Sequence, residues 1–392
     1  MTRFPYLLIG CLLSLLSSSV FSSINIGLVA SFDGGQQARS FDYQYGIQSL
    51  FNRINLDGGI KGKELALEVL NDHANGELAA SNSQRLIIRK NVVALLGGDQ
   101  LQTAEAIQRV ATREKVLYLN SLTARASLYG KVGYVLNLRP SMLSELDVLC
   151  GALADKQRER LVIVYASDHG YSELVAESCL SKHSAVSVKT LQFSASRSSI
   201  ERVKGTLASL EKQNVIFIGT RGDLSPLLSQ VDVLPDSNGY YFLSSADVGS
   251  FALKEGGETN VNSIHYLPAN YLSSEAYSNY MSDLKQLSPS LVPSKIGFEG
   301  YLAALVLTKG LEAVVSPFEI EDPNDLFRLP LSVARKLTGW VQTGGQNSLP
   351  QELSNALNVM HTLDLGLGLY LGFDGEQNFL KFPLHMTEFQ RN

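Results

Sequence analysis

Residues 54–69 constrain the fold of this chain most, because they join an amphipathic helix to a strand through three glycines. Before them, residues 24–30 form an apolar run typical of a buried strand, and apolar side chains then recur at helical spacing. After them, Asn71 ends a second strand and residues 79–88 begin another helical pattern. This order of strand, helix, strand and helix predicts a parallel sheet with crossover helices.

The alternation of strands and helices continues to about Arg139 and then starts again. Residues 264–270 are extended and lead to two further helical patterns, at 274–287 and 297–315. The chain is therefore predicted to contain two doubly wound units. The second unit has four apolar segments of strand length, at 161–165, 186–193, 215–218 and 239–243.

The glycine-rich junction at 54–69 has the sequence pattern IN-x-x-GGI-x-G-x-x-L-x-L, and other segments follow it in a fixed order. Together they resemble the type I periplasmic solute-binding proteins, the family that contains the leucine/isoleucine/valine-binding protein. Each segment alone is common, but their order along one chain is much more specific. The segments that carry the resemblance are 54–69, 92–98, 119–128, 134–140, 297–304 and 372–375.

The resemblance implies an α/β fold of two doubly wound parallel-sheet lobes joined by a multi-strand hinge. The chain would cross between the lobes near Arg139, near Leu267 and before Gly366. Several crossings acting together form a hinge that lets two lobes close on a ligand. The implied boundaries are 23–140 plus 270–365 for lobe 1, and 141–269 plus 366–392 for lobe 2.

Residues 1–22 have the features of a secretory signal peptide. Arg3 precedes an apolar run at 6–16, and small residues then lead to a cleavage site after Ser22. The apolar run is too short to span a bilayer comfortably. Cys11 resembles a lipoprotein processing site, but it follows too few apolar residues, so lipid anchoring is less favoured. The sequence thus predicts export to the periplasm.

The composition is that of a soluble globular protein, with 45% hydrophobic and 18% charged residues. A net charge of −5 without basic clusters gives no support for nucleic-acid binding. Cleavage after residue 22 would leave Cys150 and Cys179, both in predicted helices. An oxidising compartment allows them to pair, whereas apolar helices also bury single cysteines, and both possibilities stay open.

The motifs that would indicate catalysis are missing from the sequence. The chain lacks a G-x-S-x-G elbow, an H-E-x-x-H zinc motif and a phosphate-binding loop. Asp72 and His73 are neighbours, as are Asp168 and His169, but neither pair comes with a third metal ligand or a nucleophile at a readable spacing. We therefore expect a protein that is not an enzyme and that has no metal or cofactor.

Candidate ligand loops can be located from topology alone. In open parallel sheets, ligands bind at the loops that follow the carboxyl ends of the strands. Two such edges facing each other across a hinge would enclose a small solute. The predicted loops are 31–34, 98–103 and 120–124 in lobe 1, and 167–171, 219–223 and 244–247 in lobe 2.

On lobe 1, the resembling proteins that bind amino acids hold the ligand carboxylate with hydroxyls and backbone N–H groups. This implies ligand hydroxyls from Ser121, Thr123 and Thr103, with Gln102 beside them. Counted without gaps, the family's hydroxyl position falls on Leu101, which puts branched-chain specificity in doubt. The alternative for the three hydroxyls is that they cap the helices that follow.

On lobe 2, the same proteins hold the ligand ammonium group with a carboxylate. Asp247 would supply it, although the family position falls on Ala246, one residue earlier. Tyr171 would close over the ligand, and Arg221 lies where the family often has an aromatic residue, which suggests an extra anionic or carbonyl group on the ligand. The alternatives are a solvated turn for Asp247, packing within its own lobe for Tyr171, and a surface position for Arg221.

The function that the resemblance implies is capture of a small polar solute, an amino acid or a related amide or carboxylate. The partner would be an inner-membrane ABC permease. A second reading uses the same two lobes as a sensor that docks onto a membrane kinase, cyclase or chemoreceptor. A third, a secreted hydrolase on an α/β scaffold, would require turnover that depends on Ser121 or Thr123.

Overall fold

The computed structural model describes most of the chain, including both predicted lobes. The predicted signal peptide, Cys11 and Asp247 lie outside the described residues. The described residues are 23–124, 128–129, 133–154, 160–167, 171–181, 187–209, 213–230, 233–234, 239–246, 254–255, 261–315, 348–360, 362–368, 370–371 and 384–388.

Strands and helices alternate along the described chain, as the sequence predicts. The strands are β1 (Ile24–Ala30), β2 (Leu65–Asn71), β3 (Ala94–Gly97), β4 (Leu117–Ser121), β5 (Val135–Leu136), β6 (Leu161–Ala166), β7 (Val188–Phe193), β8 (Asn214–Ile218), β9 (Val233–Leu234), β10 (Gly239–Phe242), β11 (Lys254–Glu255), β12 (Val261–His265), β13 (Leu363–Asp364), β14 (Tyr370–Leu371) and β15 (His385–Glu388). The helices are α1 (Gln37–Leu56), α2 (Gly76–Lys90), α3 (Leu101–Glu114), α4 (Met142–Ala154), α5 (Tyr171–Val175), α6 (Arg197–Ala208), α7 (Arg221–Leu228), α8 (Glu275–Leu287), α9 (Lys295–Val314) and α10 (Leu349–Asn358).

Lobe 1 is built on a five-stranded parallel sheet with the order β2-β1-β3-β4-β5. β1 pairs with both β2 and β3, so it lies inside the sheet. Its side chains are almost all buried, which explains why its sequence is a continuous apolar run rather than an alternating one.

The junction at 54–69 is closed by the side chain of Asn55 at the end of α1. Its Nδ2 donates to the Leu65 carbonyl at 2.9 Å, and its Oδ1 accepts from the Leu65 N–H at 2.8 Å. Gly59 has φ +75°, and a Cβ atom there would lie 2.3 Å from the Lys63 carbonyl oxygen. The motif therefore fixes the angle between α1 and β2.

Helix α9 packs closely against α1 on one face of this sheet. A Cβ atom on Gly46 of α1 would lie 1.8 Å from the carbonyl oxygen of Gly297 in α9. Because only glycine permits this approach, the two helix backbones come into contact. This packing joins the residues after 270 to lobe 1.

Lobe 2 is built on a six-stranded sheet with the order β15-β12-β10-β8-β6-β7. Five of these strands are parallel, and β15 pairs antiparallel with β12 at the edge. The α/β fold with two doubly wound parallel-sheet lobes is thus confirmed.

Helix α4 and the π-helical turn Ala176–Leu180, which continues α5, are joined by a disulfide between Cys150 and Cys179. The Cα atoms of the two cysteines are 5.5 Å apart. Of the two possibilities that the sequence leaves open, the structure shows the paired one.

The two main apolar cores correspond to the two lobes. Tyr266 and Leu267 belong to the lobe 1 core, although β12 immediately before them belongs to the lobe 2 sheet. Leu367 also packs in the lobe 1 core, whereas β15 lies in lobe 2. The chain therefore passes between lobes at about Arg139, at Tyr266, and between Leu367 and β15. The boundaries given by the resemblance stay a prediction.

None of the helices within the described residues combines the length and the apolar character needed to cross a bilayer.

Candidate ligand-binding cleft

Loops at the carboxyl ends of the two sheets meet each other. A Cβ atom on Gly222, in the first turn of α7, would lie 3.0 Å from Nε2 of Gln36, in the loop after β1. Gly222 belongs to lobe 2 and Gln36 to lobe 1. The segment that leads from β1 to α1 is therefore a neighbour of the predicted ligand loop at 219–223.

The lobe-1 rim consists of the loops after β1, β2 and β3. Oδ1 of Asn71 accepts hydrogen bonds from the N–H groups of Phe32 at 3.1 Å and His73 at 2.9 Å. Asp33 pairs with the His73 ring, and this bond holds the pKa of Asp33 below its ordinary value. His73 and Ala74 have φ angles of 51° and 57°, left-handed conformations that cost energy for residues with a Cβ.

Two buried carboxyl groups lie in this rim. Asp72 is 0% exposed and Asp99 is 2% exposed. Burial raises the pKa of Asp72 to about 7, and the charge of Asp99 adds to the shift. Burial also raises the pKa of Asp99, against the lowering effect of Arg39. In the described part of the chain, no hydrogen-bond donor reaches Oδ2 of Asp72 or Oδ1 of Asp99.

Thr103 and Gln102, both predicted ligand residues, hold the start of α3 in place. Thr103 is fully buried, and its hydroxyl donates to the Gln100 carbonyl at 3.0 Å and accepts from the Gln100 N–H at 3.3 Å. This is the capping alternative. The exposed Gln102 donates from Nε2 to the Ala74 carbonyl at 2.7 Å, which links the loops after β2 and β3.

Ser121 and Thr123 lie at the carboxyl end of β4, where topology predicts them. Ser121 is opposite Gly97 of β3, and its side chain is not among those described. Thr123 is 1% exposed. Between them, the Leu122 N–H donates to the Gly98 carbonyl at 3.2 Å, so the loop after β4 is tied to the loop after β3.

The lobe-2 rim consists of the loops after β6, β8 and β10. Tyr171 is 1% exposed, and its hydroxyl donates to Oδ2 of Asp223. The same oxygen accepts from the N–H of Thr220 at 2.9 Å and from its hydroxyl at 2.8 Å, which caps α7. Tyr171 thus packs within lobe 2 in this structure, which was the alternative that the sequence left open.

Arg221 is the first residue of α7 and is exposed beside Gly222, where the two lobes approach. Asp247 lies outside the described residues, but the 3-10 turn Ser244–Ala246 before it is fully buried. The Ser245 hydroxyl donates to the Gly219 carbonyl at 3.2 Å, so this turn is tied to the loop that leads to Arg221.

Sequence reasoning missed several rim residues that the structure brings together. Asp72 and Asp99 directly follow strands or strand ends, so their position was a usable signal. Glu145, in the first turn of α4, accepts hydrogen bonds from Ser244, which is 99 residues away in sequence. No local pattern indicates such a contact.

A buried ion pair lies at the first crossing between the lobes. Arg139 donates from Nη2 to Glu299 of α9, and the two side chains are 2% and 4% exposed. The Arg139 guanidinium and the Lys295 ammonium group lie 5.6 Å and 5.7 Å from the centre of the Tyr266 ring. Arg139 from the first crossing and Tyr266 from the second thus meet charged residues of α9 at the hinge.

Within the described residues, no group of three or more His, Cys, Asp or Glu side chains is placed to hold a metal ion. The polar groups of the two rims are hydrogen-bond donors, acceptors and single charges. Such groups bind and orient a small polar ligand.

Two parallel-sheet lobes with facing loop edges define a two-lobed binding protein. The chain also matches the model of the family described as periplasmic binding protein over residues 23–324. Since this is well over half of the 392 residues, the chain belongs to the periplasmic binding protein family. Its members bind solutes in the periplasm and are not enzymes. None of the curated proteins matches the chain.

Solved structures share this fold over nearly the whole chain. An extracellular ligand-binding receptor from Verminephrobacter eiseniae has 16% identity and a TM-score of 0.70, covering 93% of this chain and 97% of that one. A branched-chain amino acid transporter substrate-binding protein from Streptococcus pneumoniae, in complex with isoleucine, has 14% identity and a TM-score of 0.67, covering 93% and 95%. A solute-binding protein of an ABC transporter from Rhodopseudomonas palustris, in complex with 3,4-dihydroxybenzoic acid, has 14% identity and a TM-score of 0.68, covering 94% of each chain. At these identities the likeness shows the fold alone.

Proposed function

We propose that this protein is a receptor that captures a small polar solute between its lobes and delivers it to an inner-membrane ABC transporter. The observation that carries the proposal is the approach of Gln36 in lobe 1 to Gly222 in lobe 2. A ligand between these loops would contact both lobes, and only such a ligand favours closure over the open form.

The ligand class we propose is an amino acid or a related amide or carboxylate. The amino ends of α3 and α7 both lie at the cleft edges of their sheets, and helix amino ends favour anionic groups. Arg221 would contact a carboxylate or carbonyl group, and Asp247 an ammonium group. Solved relatives with isoleucine and with 3,4-dihydroxybenzoic acid both carry carboxylate ligands, which agrees with this class.

The signal peptide belongs to this proposal, because a receptor of this kind acts after export. We propose cleavage after Ser22, without lipid attachment at Cys11. Mass spectrometry of the protein from a periplasmic extract would give the mass of a mature chain whose first residue is Ser23. A mass that includes a lipid on Cys11 would contradict this.

A thermal-shift screen of amino acids, amides, aromatic acids, ureas and purines tests the function. We expect at least one compound to raise the Tm and to compact the protein in small-angle scattering. Arg221→Ala should weaken its binding about tenfold, as for the loss of a charged hydrogen bond. Arg197→Ala is the matched control, because Arg197 also is the exposed first residue of a lobe 2 helix but follows the edge strand β7.

A screen in which no compound raises the Tm would contradict the proposal. Equal weakening of binding by Arg221→Ala and Arg197→Ala would contradict the proposed position of the site. Transport and sensing are separated by the neighbouring genes. Genes for a permease and an ATPase favour uptake, whereas a single gene for a membrane kinase, cyclase or chemoreceptor would point to a sensor.

A further inference from the structure

Glu145 is a fully buried carboxyl group in the first turn of α4. One oxygen accepts from the Ser244 N–H at 2.8 Å, and the other accepts from the Ser244 hydroxyl. Both carboxyl oxygens are thus committed to one residue of a different loop. Burying an ionisable group costs free energy, so packing alone does not explain a carboxyl group at this position.

Ser244 begins the 3-10 turn Ser244–Ala246 in the lobe-2 rim. The next residue of this turn, Ser245, donates to the Gly219 carbonyl at 3.2 Å. Glu145 therefore fixes the loop after β10, and through Ser245 it also restrains the loop after β8. Arg221, a charged ligand residue proposed for lobe 2, follows the restrained Gly219 two residues later.

Charges from outside lobe 2 face Glu145. Burial raises the pKa of Glu145, while the hydrogen bonds of Ser244 and the positive charges of Arg139 and Lys295 act in the opposite direction. Arg139 is on the first crossing and is paired with Glu299 of lobe 1. Arg139 thus pairs with Glu299 of lobe 1 and also acts electrostatically on Glu145 of lobe 2.

We propose that Glu145 is a positioning residue for ligand binding, which holds the Ser244–Ala246 turn and, through Ser245, the loop that leads to Arg221. This inference rests on the proposed function and adds to it a residue that does not itself touch the ligand.

The first arm of the test needs no ligand. Hydrogen exchange of the unliganded protein is compared for wild type, Glu145→Gln and Ser244→Ala, the second being the milder change if the first unfolds the lobe. We expect exchange in the turn Ser244–Ala246 to rise about tenfold or more in both variants, since a charge-assisted hydrogen bond is lost. Exchange in lobe 1 should not change.

Asp147→Asn is the matched control, because Asp147 is on the same helix and accepts a hydrogen bond from Ser178 rather than from the rim. It removes a comparable serine–carboxylate contact without touching the turn. If the turn exchanges at the wild-type rate in Glu145→Gln and Ser244→Ala, or equally fast in Asp147→Asn, the proposal is overturned.

The second arm measures affinity for L-isoleucine, for 3,4-dihydroxybenzoate and for any other compound that shifts the wild type. Glu145→Gln and Ser244→Ala should weaken binding about tenfold while Asp147→Asn binds as wild type. Equal weakening by all three variants would reduce Glu145 to a general stability role and overturn the proposal. A wild type that binds no compound contradicts the receptor function, whereas the exchange arm still decides whether Glu145 sets the turn.

Discussion

The loops of both rims are tied by hydrogen bonds, but the lobe-1 rim also contains buried carboxyl groups and strained backbone, whereas in the lobe-2 rim hydroxyl groups donate to carboxylates. In lobe 1, Asp72 and Asp99 are buried with incomplete hydrogen bonding, next to the left-handed residues His73 and Ala74. In lobe 2, the Asp223 carboxylate is satisfied by hydroxyl groups.

Because of this difference, the two sides of the cleft respond to different variables. The lobe-1 rim contains a carboxyl group that titrates near neutral pH, so its electrostatics depend on pH. The lobe-2 rim depends on the geometry of short hydrogen-bonded turns. The affinity for a ligand that contacts both rims would therefore depend on the pH and on the geometry of these turns.

The largest effect is expected at the ion pair that joins the two sides. Arg139→Met leaves the buried Glu299 without its partner and should lower the free energy of unfolding by about 3–5 kcal/mol. Denaturant unfolding measures this. Arg113→Met is the control, since Arg113 and Glu114 are 58% and 30% exposed in their pair and solvent compensates the loss. Equal losses in the two variants would show that the hinge pair has no special role.

The second-largest effect is expected at the disulfide, which lies in lobe 2. Replacing both Cys150 and Cys179 by serine should destabilise the protein by about 3 kcal/mol, because the bond closes a loop of 29 residues. Hydrogen exchange should become faster in lobe 2 and stay unchanged in lobe 1. Thiol titration of the denatured, unreduced protein should find no free thiol in the mature chain, and two free thiols would contradict the pairing.

The pH dependence should come mainly from lobe 1. Asp72 holds a proton in the folded protein up to about pH 7, whereas an unfolded chain releases it near 3.8. Stability should therefore fall as the pH rises from 5 to 7, by roughly 2 kcal/mol at most. Asp72→Asn should make this slope clearly smaller, and the raised pKa values of Asp99 and Glu145 account for what remains.

Asp33→Asn is the control for this pH effect. The pKa of Asp33 is lowered, so its contribution has the opposite sign and is lost as the pH falls. If Asp72→Asn keeps the wild-type slope between pH 5 and 7, the acidic character assigned to the lobe-1 rim is wrong.

The smallest effects concern one tyrosine hydroxyl in each rim. Tyr171→Phe loses a hydrogen bond to the charged Asp223, and we expect a loss of about 1.5 kcal/mol in the free energy of unfolding. Tyr118→Phe in lobe 1 loses a bond to the uncharged Gly97 carbonyl, at 3.0 Å, and should cost about 1 kcal/mol or less. The reverse order would contradict the difference between the rims.

The fold could be predicted from sequence because its determinants are local. The Asn55 side chain, the glycines after it and the apolar run of β1 are all legible in short segments, and they fix the βαβ order. The third crossing was less legible, since Leu367 packs in lobe 1 while β15 pairs in lobe 2.

The site could be predicted only as a set of loops. Topology places Thr103, Thr123 and Tyr171 correctly at the sheet edges, but the direction of each side chain depends on its neighbours. Thr103 caps its own helix and Tyr171 bonds to Asp223, which is 52 residues away. The capping by Thr103 is local and was the alternative that the sequence offered, whereas spacing along the chain contains no information about the contact between Tyr171 and Asp223.

The most direct test of a cleft between facing rims is a crosslink between Gln36 and Gly222. The variant with Gln36→Cys and Gly222→Cys should be joined by a bis-methanethiosulfonate with a short spacer, which replaces the reach of the glutamine side chain. The crosslinked protein should neither bind nor release ligand until it is reduced. Gln36→Cys with Arg197→Cys is the control and should stay open. Failure of the first pair to crosslink, with ligand present or absent, would contradict the enclosure of a solute between the two lobes.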